Sequence, residues 1–351
     1  MKTILKRSII SVAVLAMMAS FALVFTHEAL ASGEKTVAIT WLASPVGSDG
    51  YNFGSAFCDI IKKNHPYLRP SAVETMGDVD MLKSLADMPP DKRKFHMGAS
   101  VGALLNLARF GKGPFGKSGV INDWKIFFTM YNVLPHFMTL DPNIKSGKDL
   151  AGKKVGFPPR QHGLAKDADY ILGVYGIADK VKKVYMPMDL QKDALLDGTV
   201  DAVAAGGNYL SENEIKTSPN NEIILQSRKN VYFIGVDKKD GEMAKAKNPT
   251  ATLIWVPVKA NARRTGYPGK DWGVLIQSNN AFAWKDFPEE YAYEITKVCA
   301  ENANKVKDYF ATGKAFTPDG MVSNPWGPTL YHPGALKYYK EKGLKPLGTM
   351  E

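Results

Sequence analysis

The chain reads as an α/β protein of two lobes joined by crossing hinge strands. Three observations predict this. Strand, loop and helix recur three times between Lys35 and Phe110, the pattern of a parallel sheet covered by helices. A second such series begins at Val155. Two long β-prone runs, Trp124 to Met138 (WKIFFTMYNVLPHFM) and Gly273 to Trp284 (GVLIQSNNAFAW), are each long enough to leave one lobe and enter the other. One lobe then comprises residues 32–134 and 276–351, and the other is inserted between them as residues 135–275.

The elements follow in order. KTVAITWL, residues 35–42, alternates as a half-buried strand does. The loop ASPVGSDG leads into a helix from Tyr51 to Asn64, and Pro66 and Pro70 then break the chain. SAVETMG supplies a second strand and its loop, followed by a helix from Asp78 to Ala86. Phe95 to Ser100 is a third strand and Val101 to Phe110 a third helix. In the inserted lobe, the stretch IKSGKDLAGKKVGF (Ile144 to Phe157) has Ser146 to cap a short turn and Gly152 to end it. Val155 and Phe157 then start a buried strand. A helix over Lys166–Gly176, the strand VKKVYMPM and a helix over Leu190–Leu196 come next. In LLDGTVDAVAAGG (Leu195 to Gly207) the helix ends at Gly198, and a strand Val200–Ala204 runs into a small-residue loop. The pattern continues with a helix after Ser211, the strand EIILQ, and an irregular region from Gly235 to Lys270. Pro288 to Phe310 is amphipathic, with Tyr291, Ile295, Val298, Val306 and Phe310 on or near one face, and Pro333 starts a last short helix.

Composition narrows the class. With 45% apolar and 23% charged residues the chain can build a core and is not disordered. Lys2, Lys6 and Arg7 precede an uncharged apolar stretch, Ile9 to Val24, and Ala29-Leu30-Ala31 supplies small residues for cleavage. This pattern reads as a secretory leader removed after Ala31, with a periplasmic mature protein expected; the alternative is a retained membrane anchor, for which the apolar run is short. The formal net charge of +10 falls slightly when Lys2, Lys6, Arg7 and Glu28 leave with the leader. The remaining lysines are dispersed over helices and loops. They favour anionic solutes or a membrane surface, or serve solubility alone, and they do not form a nucleic-acid footprint. Cys58 and Cys299 belong to no CxxC pair, which argues against zinc; a disulfide and two separately buried thiols both stay open.

No catalytic residue, metal ligand or cofactor is expected. GxSxG, HExxH and paired carboxylates are lacking in a suitable context, and His65, His96, His136, His162 and His332 form no i, i+4 pair. Gly111 to Ser118 matches the phosphate-loop pattern GxxxxGKS. A helix, not a strand, precedes it, and Gly119 follows at once, so it is rejected.

In an open α/β sheet a small ligand sits at the loops beyond the strand ends. The first lobe offers Ser44, Ser48, Tyr51 and Asn52, then Thr75, Met76 and Gly77, then Ser100. Capping the helix, not binding, is the expected role of one of Ser48 and Asp49. The second lobe offers Arg160, Gln161 and His162 and, facing them, Gly206, Gly207 and Asn208. The Arg160 guanidinium beside helix N–H groups would bind a carboxylate or phosphonate at two points; the plain alternative is a solvated surface arginine. Tyr131 and Phe157 either line the cleft or belong to the core.

Several segments in order carry a resemblance: Tyr51-x-x-Gly54-x-x-Phe57, ETMGDVDMLKSL, SGKDLAGKKVGF, ALLDGTVDAV, TGYPGKDW and the Tyr291–Val298 helix. Together they resemble the solute-binding proteins of TRAP transporters, TAXI type, over almost the whole mature chain. The resemblance implies a type II periplasmic-binding-protein fold and a monomer that carries a small organic anion, a carboxylate or amino acid, to TRAP membrane subunits. The chain departs from the family at PPRQHG (Pro158 to Gly163), where a G-S-G-T-like loop is usual, and at Asp78-Val79-Asp80-Met81, where Ser-x-x-Asn is usual. These changes leave the class intact and the solute open. A sensor subunit presenting its ligand to a membrane receptor, and an exported enzyme on the same scaffold, are the alternatives.

Overall fold

The computed structural model describes residues 36–248, 252–262, 269–346 and 348–350. The expected leader and part of TGYPGKDW lie outside the described residues. Along the chain the strands are β1 (Val37–Ala43), β2 (Leu68–Glu74), β3 (His96–Val101), β4 (Trp124–Val133), β5 (His136–Thr139), β6 (Lys154–Phe157) and β7 (Lys182–Tyr185). They continue as β8 (Ala202–Ala205), β9 (Gly207–Ser211), β10 (Glu214–Thr217), β11 (Tyr232–Ile234), β12 (Ile254–Val258) and β13 (Trp272–Trp284). They form two sheets. The first runs β10-β9-β4-β13-β3-β1-β2, with β12 also paired to β13, and the second runs β11-β5-β8-β6-β7.

The first strand–helix series forms as its residues dictate. β1 lies parallel to β3, with Thr40 opposite His96 and Leu42 opposite Gly98. The helix Asp49–Asn64 starts on Ser48, whose Oγ accepts from the Tyr51 N–H at 3.2 Å; Asp49 lies in its first turn and Lys62 and Lys63 in its last. It buries Phe53, Phe57, Ile60 and Ile61 against the sheet, where Phe57 stacks on Trp41 with ring centroids 5.7 Å apart. Helices Asp78–Asp87 and Gly102–Arg109 complete the series. Pro70 does not break the chain. It lies inside β2, an edge strand, where the missing N–H costs no ladder hydrogen bond.

The run Trp124–Met138 is divided, not continuous. β4 ends at Val133, Leu134-Pro135 turn the chain, and β5 enters the second sheet. β13 is one strand, pairing β12 over Trp272–Ile276 and then β4 and β3 towards Trp284. A further passage occurs at Gly206, the only residue between β8 of the second sheet and β9 of the first.

Three expectations from the inserted region are corrected. The helix expected after Ser211 is the second half of a hairpin, β9–β10. EIILQ is helical, within Pro219–Ser227; Pro219 at the first helical position sets the turn, and a short apolar run has no periodicity to distinguish strand from helix. Gly235–Lys270 contains a helix, Lys238–Lys247, and β12, fastened where the Trp255 indole N–H donates to the Val236 carbonyl at 2.7 Å. The amphipathic helix from Pro288 is also shorter than expected. It ends at Glu301 and continues as a 3-10 segment, Ala303–Asp308.

The second sheet's core is built by Phe137, Val155, Phe157, Ile171, Leu172 and Ala202. Cys58 and Cys299 sit on the packed helices Asp49–Asn64 and Glu289–Glu301 as free, buried thiols, and burial pushes Cys58 up to about 12. No helix among the described residues is long and apolar enough to cross a membrane. His136, at the passage between sheets, hydrogen-bonds the Leu134 carbonyl through Nδ1 at 3.0 Å and stacks on Phe233. Burial pushes its pKa down to about 4.

Two outcomes follow from this packing. Phe157→Ala should lower the unfolding free energy by about 3–5 kcal/mol in urea titrations, as expected for an emptied aromatic core site. His136 is neutral in the fold, while the unfolded chain protonates it below 6.5. Its contribution, about 3 kcal/mol at most, is complete above pH 6.5 and is lost as pH falls towards about 4. Denaturant midpoints against pH should fall over that window, with a shallower slope in His136→Leu; equal slopes would show that the ring does not titrate on unfolding.

Candidate binding site

Residues from both sheets enclose a cavity of about 50 Å³. The first contributes Ser44, Ser48, Asp49, Asp78, Tyr131 and Asn279 to its lining, and the second His162, Gly163, Leu164 and Gly206.

The walls meet at Asp78. This residue opens the helix Asp78–Asp87 and is only 2% exposed. Its Oδ1 accepts from the Val101 N–H at 3.1 Å, where β3 turns into the helix Gly102–Arg109. Its Oδ2 accepts from the Gly163 N–H at 2.9 Å, the first residue of the helix Gly163–Val174 on the opposite wall. One carboxylate thus satisfies two backbone donors that helix starts leave without a partner, and it lies at the positive ends of both dipoles. Glycines permit the approach. Gly77 has φ 126°, and a Cβ there would stand 2.9 Å from the Gln161 carbonyl oxygen. A Cβ on Gly163 would stand 3.0 Å from Asp78 Oδ2.

A second polar tie lies beside the first. The Gln277 side-chain amide on β13 donates to Asp167 of the helix Gly163–Val174, and its Oε1 accepts from the Ala103 N–H at 2.7 Å. Burial, aided by the charge of Asp78, pushes the Asp167 carboxyl well above the usual carboxylate range.

The remaining polar groups are held by one side and open on the other. His162 Nδ1 accepts from the Leu164 N–H at 3.1 Å as the helix cap, which assigns the ring proton to Nε2. Burial lowers the His162 pKa, against the pull of Asp78. Asp49 accepts from Thr312 Oγ1 and Asn208 Nδ2, each at 2.9 Å; burial raises its pKa and these hydrogen bonds oppose the rise. The Tyr131 hydroxyl accepts from Asn279 Nδ2 at 3.0 Å, and burial with the charges of Asp49 and Asp78 pushes the phenol well above its ordinary value. His162 Nε2, Asn208 Oδ1, Asn279 Oδ1 and Ser100 Oγ are buried with no hydrogen-bond partner. Buried polar atoms of this kind are where a bound molecule completes a site.

Of the residues singled out in the sequence, Ser44, Ser48, Tyr131, His162, Gly206 and Gly207 line this cavity. The Ser48 hydroxyl is spent on capping. Asn208 is buried and holds Asp49, and Ser100 is buried at the end of β3. Thr75 ties its loop to the Ala43 carbonyl at 2.9 Å, Met76 is 60% exposed, and Gly77 and Gln161 make the wall-to-wall contact. Tyr51 is half-buried outside the lining, and Phe157 is core. Arg160 is displaced from the expected position. The helix begins three residues later, after a turn closed by the His162 N–H on the Pro159 carbonyl, and Arg160 lies exposed with its guanidinium 3.9 Å from the Tyr185 ring centroid. Asp78, Gly163, Leu164 and Asn279 were not singled out as site residues. Asp78 had a signal, because it departs from the resembled pattern; Asn279, in the middle of an apolar run, had only its polarity in a strand.

Asn52 lines a different, open cleft of about 810 Å³, together with Glu214, Thr217, Thr312 and Lys314. Its polar groups pair with one another, as in Lys314 with Glu214 at 2.5 Å and Thr217 with Glu222. The smaller cavity, with buried unpartnered atoms on facing walls, is the better candidate.

A model of the NMT1-like family matches residues 42–343, and the chain belongs to that family. Among solved structures it is similar to the periplasmic binding protein BugD, at 10% identity over 90% of this chain and 99% of that one, with a TM-score of 0.52. It is similar to MatC from Rhodopseudomonas palustris with bound malate, at 11% identity over 89% and 97%, TM-score 0.51. It is also similar to a protein of Bordetella bronchiseptica RB50, at 13% identity over 90% and 91%, TM-score 0.51. Identities this low speak of fold alone. That fold is the two-sheet type II periplasmic-binding-protein fold expected from the sequence.

Removing the Asp78 carboxylate should loosen the contact between the walls. Hydrogen bonds to a charged group contribute about 1.5–3 kcal/mol each. Asp78→Ala should therefore lower the melting temperature and increase the radius of gyration in solution scattering, with far-UV circular dichroism unchanged. Gly77→Ala should do the same through backbone strain and the collision with Gln161. Wild-type values in both variants would mean that the walls are held by something else.

Proposed function

We propose that this NMT1-like protein is an extracytoplasmic solute-binding subunit, which closes two lobes on a small solute and passes it unaltered to a membrane transporter. The observation that carries this reading is the inter-sheet cavity, whose facing walls present buried polar atoms with no partner. Closure across a hinge hides the solute from water and lets each wall add its own hydrogen bonds. The four passages between the sheets, at Leu134-Pro135, at Gly206 and on either side of β11, supply the hinge, and the lobes are the two sheets with their helices.

The finer identity is a TAXI-type binding protein of a TRAP transporter. It is supported by the order of the segments from Tyr51 to Val298, by the leader ending at Ala31, and by a fold in common with periplasmic binding proteins. The expectation of a small organic anion came from the resemblance, with Arg160 as its candidate partner. That residue lies outside the cavity lining, and Asp49 and Asp78 lie in it.

The test is solution scattering of the mature protein with and without candidate solutes, alongside chromatography of the solute after incubation. A true ligand should reduce the radius of gyration, raise the melting temperature by mass action and be recovered intact. Conversion of the solute would replace this reading with an enzymatic one.

A further inference from the structure

We infer that the inter-sheet cleft selects small solutes that carry a protonated amine and no net negative charge. This rests on the cleft being the binding site and goes on to name the class of its occupant.

The carboxyl groups of the cleft have no basic side chain opposite them except His162. Asp49 and Asp78 line it, and no lysine or arginine is among the described residues that do. A helix start on each wall would ordinarily receive an anion. Here both are already occupied by the protein's own carboxylate, Asp78, on the Val101 and Gly163 N–H groups. An incoming anion would have to displace that carboxylate or be desolvated beside it, and beside Asp49 as well, with no cation to offset either.

The neutral groups point the same way. The Asn279 amide, in the lining, spends its NH2 on the Tyr131 hydroxyl, and the Asn208 amide, behind the lining, spends its NH2 on Asp49. In each case the atom left without a partner is the carbonyl oxygen, an acceptor, on a residue at least nine-tenths buried. An ammonium group carries three donors and no acceptor and so matches Asn279 Oδ1 and the carboxylates. Two donors are also free. His162 Nε2 is unpartnered, and the Tyr131 hydroxyl, which accepts from Asn279, keeps its own hydrogen to give. They suit a neutral oxygen on the same solute, such as a hydroxyl or an amide carbonyl. A cavity of about 50 Å³ admits about three to five heavy atoms while the walls are closed.

The experiment uses matched pairs with the mature chain: ethanolamine against glycolate, and propylamine against propionate, each titrated calorimetrically at neutral pH and low salt. The amines should bind at least tenfold more tightly than their anionic partners. Asn279→Leu and Asp49→Asn should each weaken amine binding at least tenfold, with circular dichroism of the unliganded protein unchanged. Anions that bind as well as the amines, or amines that do not bind at all, overturn the charge assignment. If an anion binds and Asn279→Leu abolishes its binding, the cleft remains the site and only the assignment falls. If amines bind and neither substitution affects them, the cleft itself is not where the solute sits.

Discussion

A single buried carboxylate governs how the two walls of this molecule meet. Asp78 pairs with no lysine or arginine among the described residues; its partners are backbone N–H groups at two helix starts, Val101 on its own wall and Gly163 on the other. Such donors cannot be satisfied within their own helices, and burial would leave them costly. The negative charge and the two positive helix ends therefore stabilise one another in the same small volume. This explains why Gly77 and Gly163 flank the contact: a side chain at either position would hold the backbones apart. The charge of Asp78 also adds to the burial that pushes the neighbouring Asp167 carboxyl well above the usual carboxylate range.

β13 carries the rest of the arrangement. Its ends are apolar and its middle, Gln277 to Asn280, is polar and buried. Each of these side chains has a task. Gln277 links Asp167 to the start of the helix Gly102–Arg109, Asn279 fixes the Tyr131 hydroxyl, and Asn280 binds Ser278 and accepts from Thr129. The pairing of β13 with β4 shifts register between Asn279 and Asn280, an irregularity of the kind that re-aims side chains beside functional sites. The apolar flanks bury the strand, and the polar middle sets what stands next to the cleft.

Much of this was legible in the sequence, for identifiable reasons. Where local chemistry is strong it decided the structure: Ser48 and Ser146 cap, and Gly152, with φ 79°, ends the short turn that Ser146 begins. Where the signal was a bare apolar run it misled. EIILQ carries β-prone residues, yet Pro219 and the Asn221 side chain, donating to the Gly206 carbonyl at 2.7 Å, hold the segment as a helix. The site was half legible. Ser44, His162, Gly206 and Gly207 were found because they follow strands, Tyr131 because it is an aromatic in a long strand run, and Arg160 was misplaced because the turn at Pro159–His162 delays the helix. Asp78 was visible only as an oddity of its segment. Its partners lie 23 and 85 residues away, a separation no local pattern reports.

Of the four passages between the sheets, two do not stand apart. The Leu134 N–H donates to the Gly207 carbonyl at 2.8 Å, and Val133 pairs with Asn208, so the link at Leu134-Pro135 and the link at Gly206 are laced together side by side. A single flexible link would act as a ball joint, free to swivel in every direction. Two laced links, with the further crossings on either side of β11, act as pins in one door frame, permitting a swing about the line that joins the laced pair and resisting torsion. In the closure proposed above, whatever arrives on one wall would therefore meet the same residues of the other each time, without any contact spent on steering.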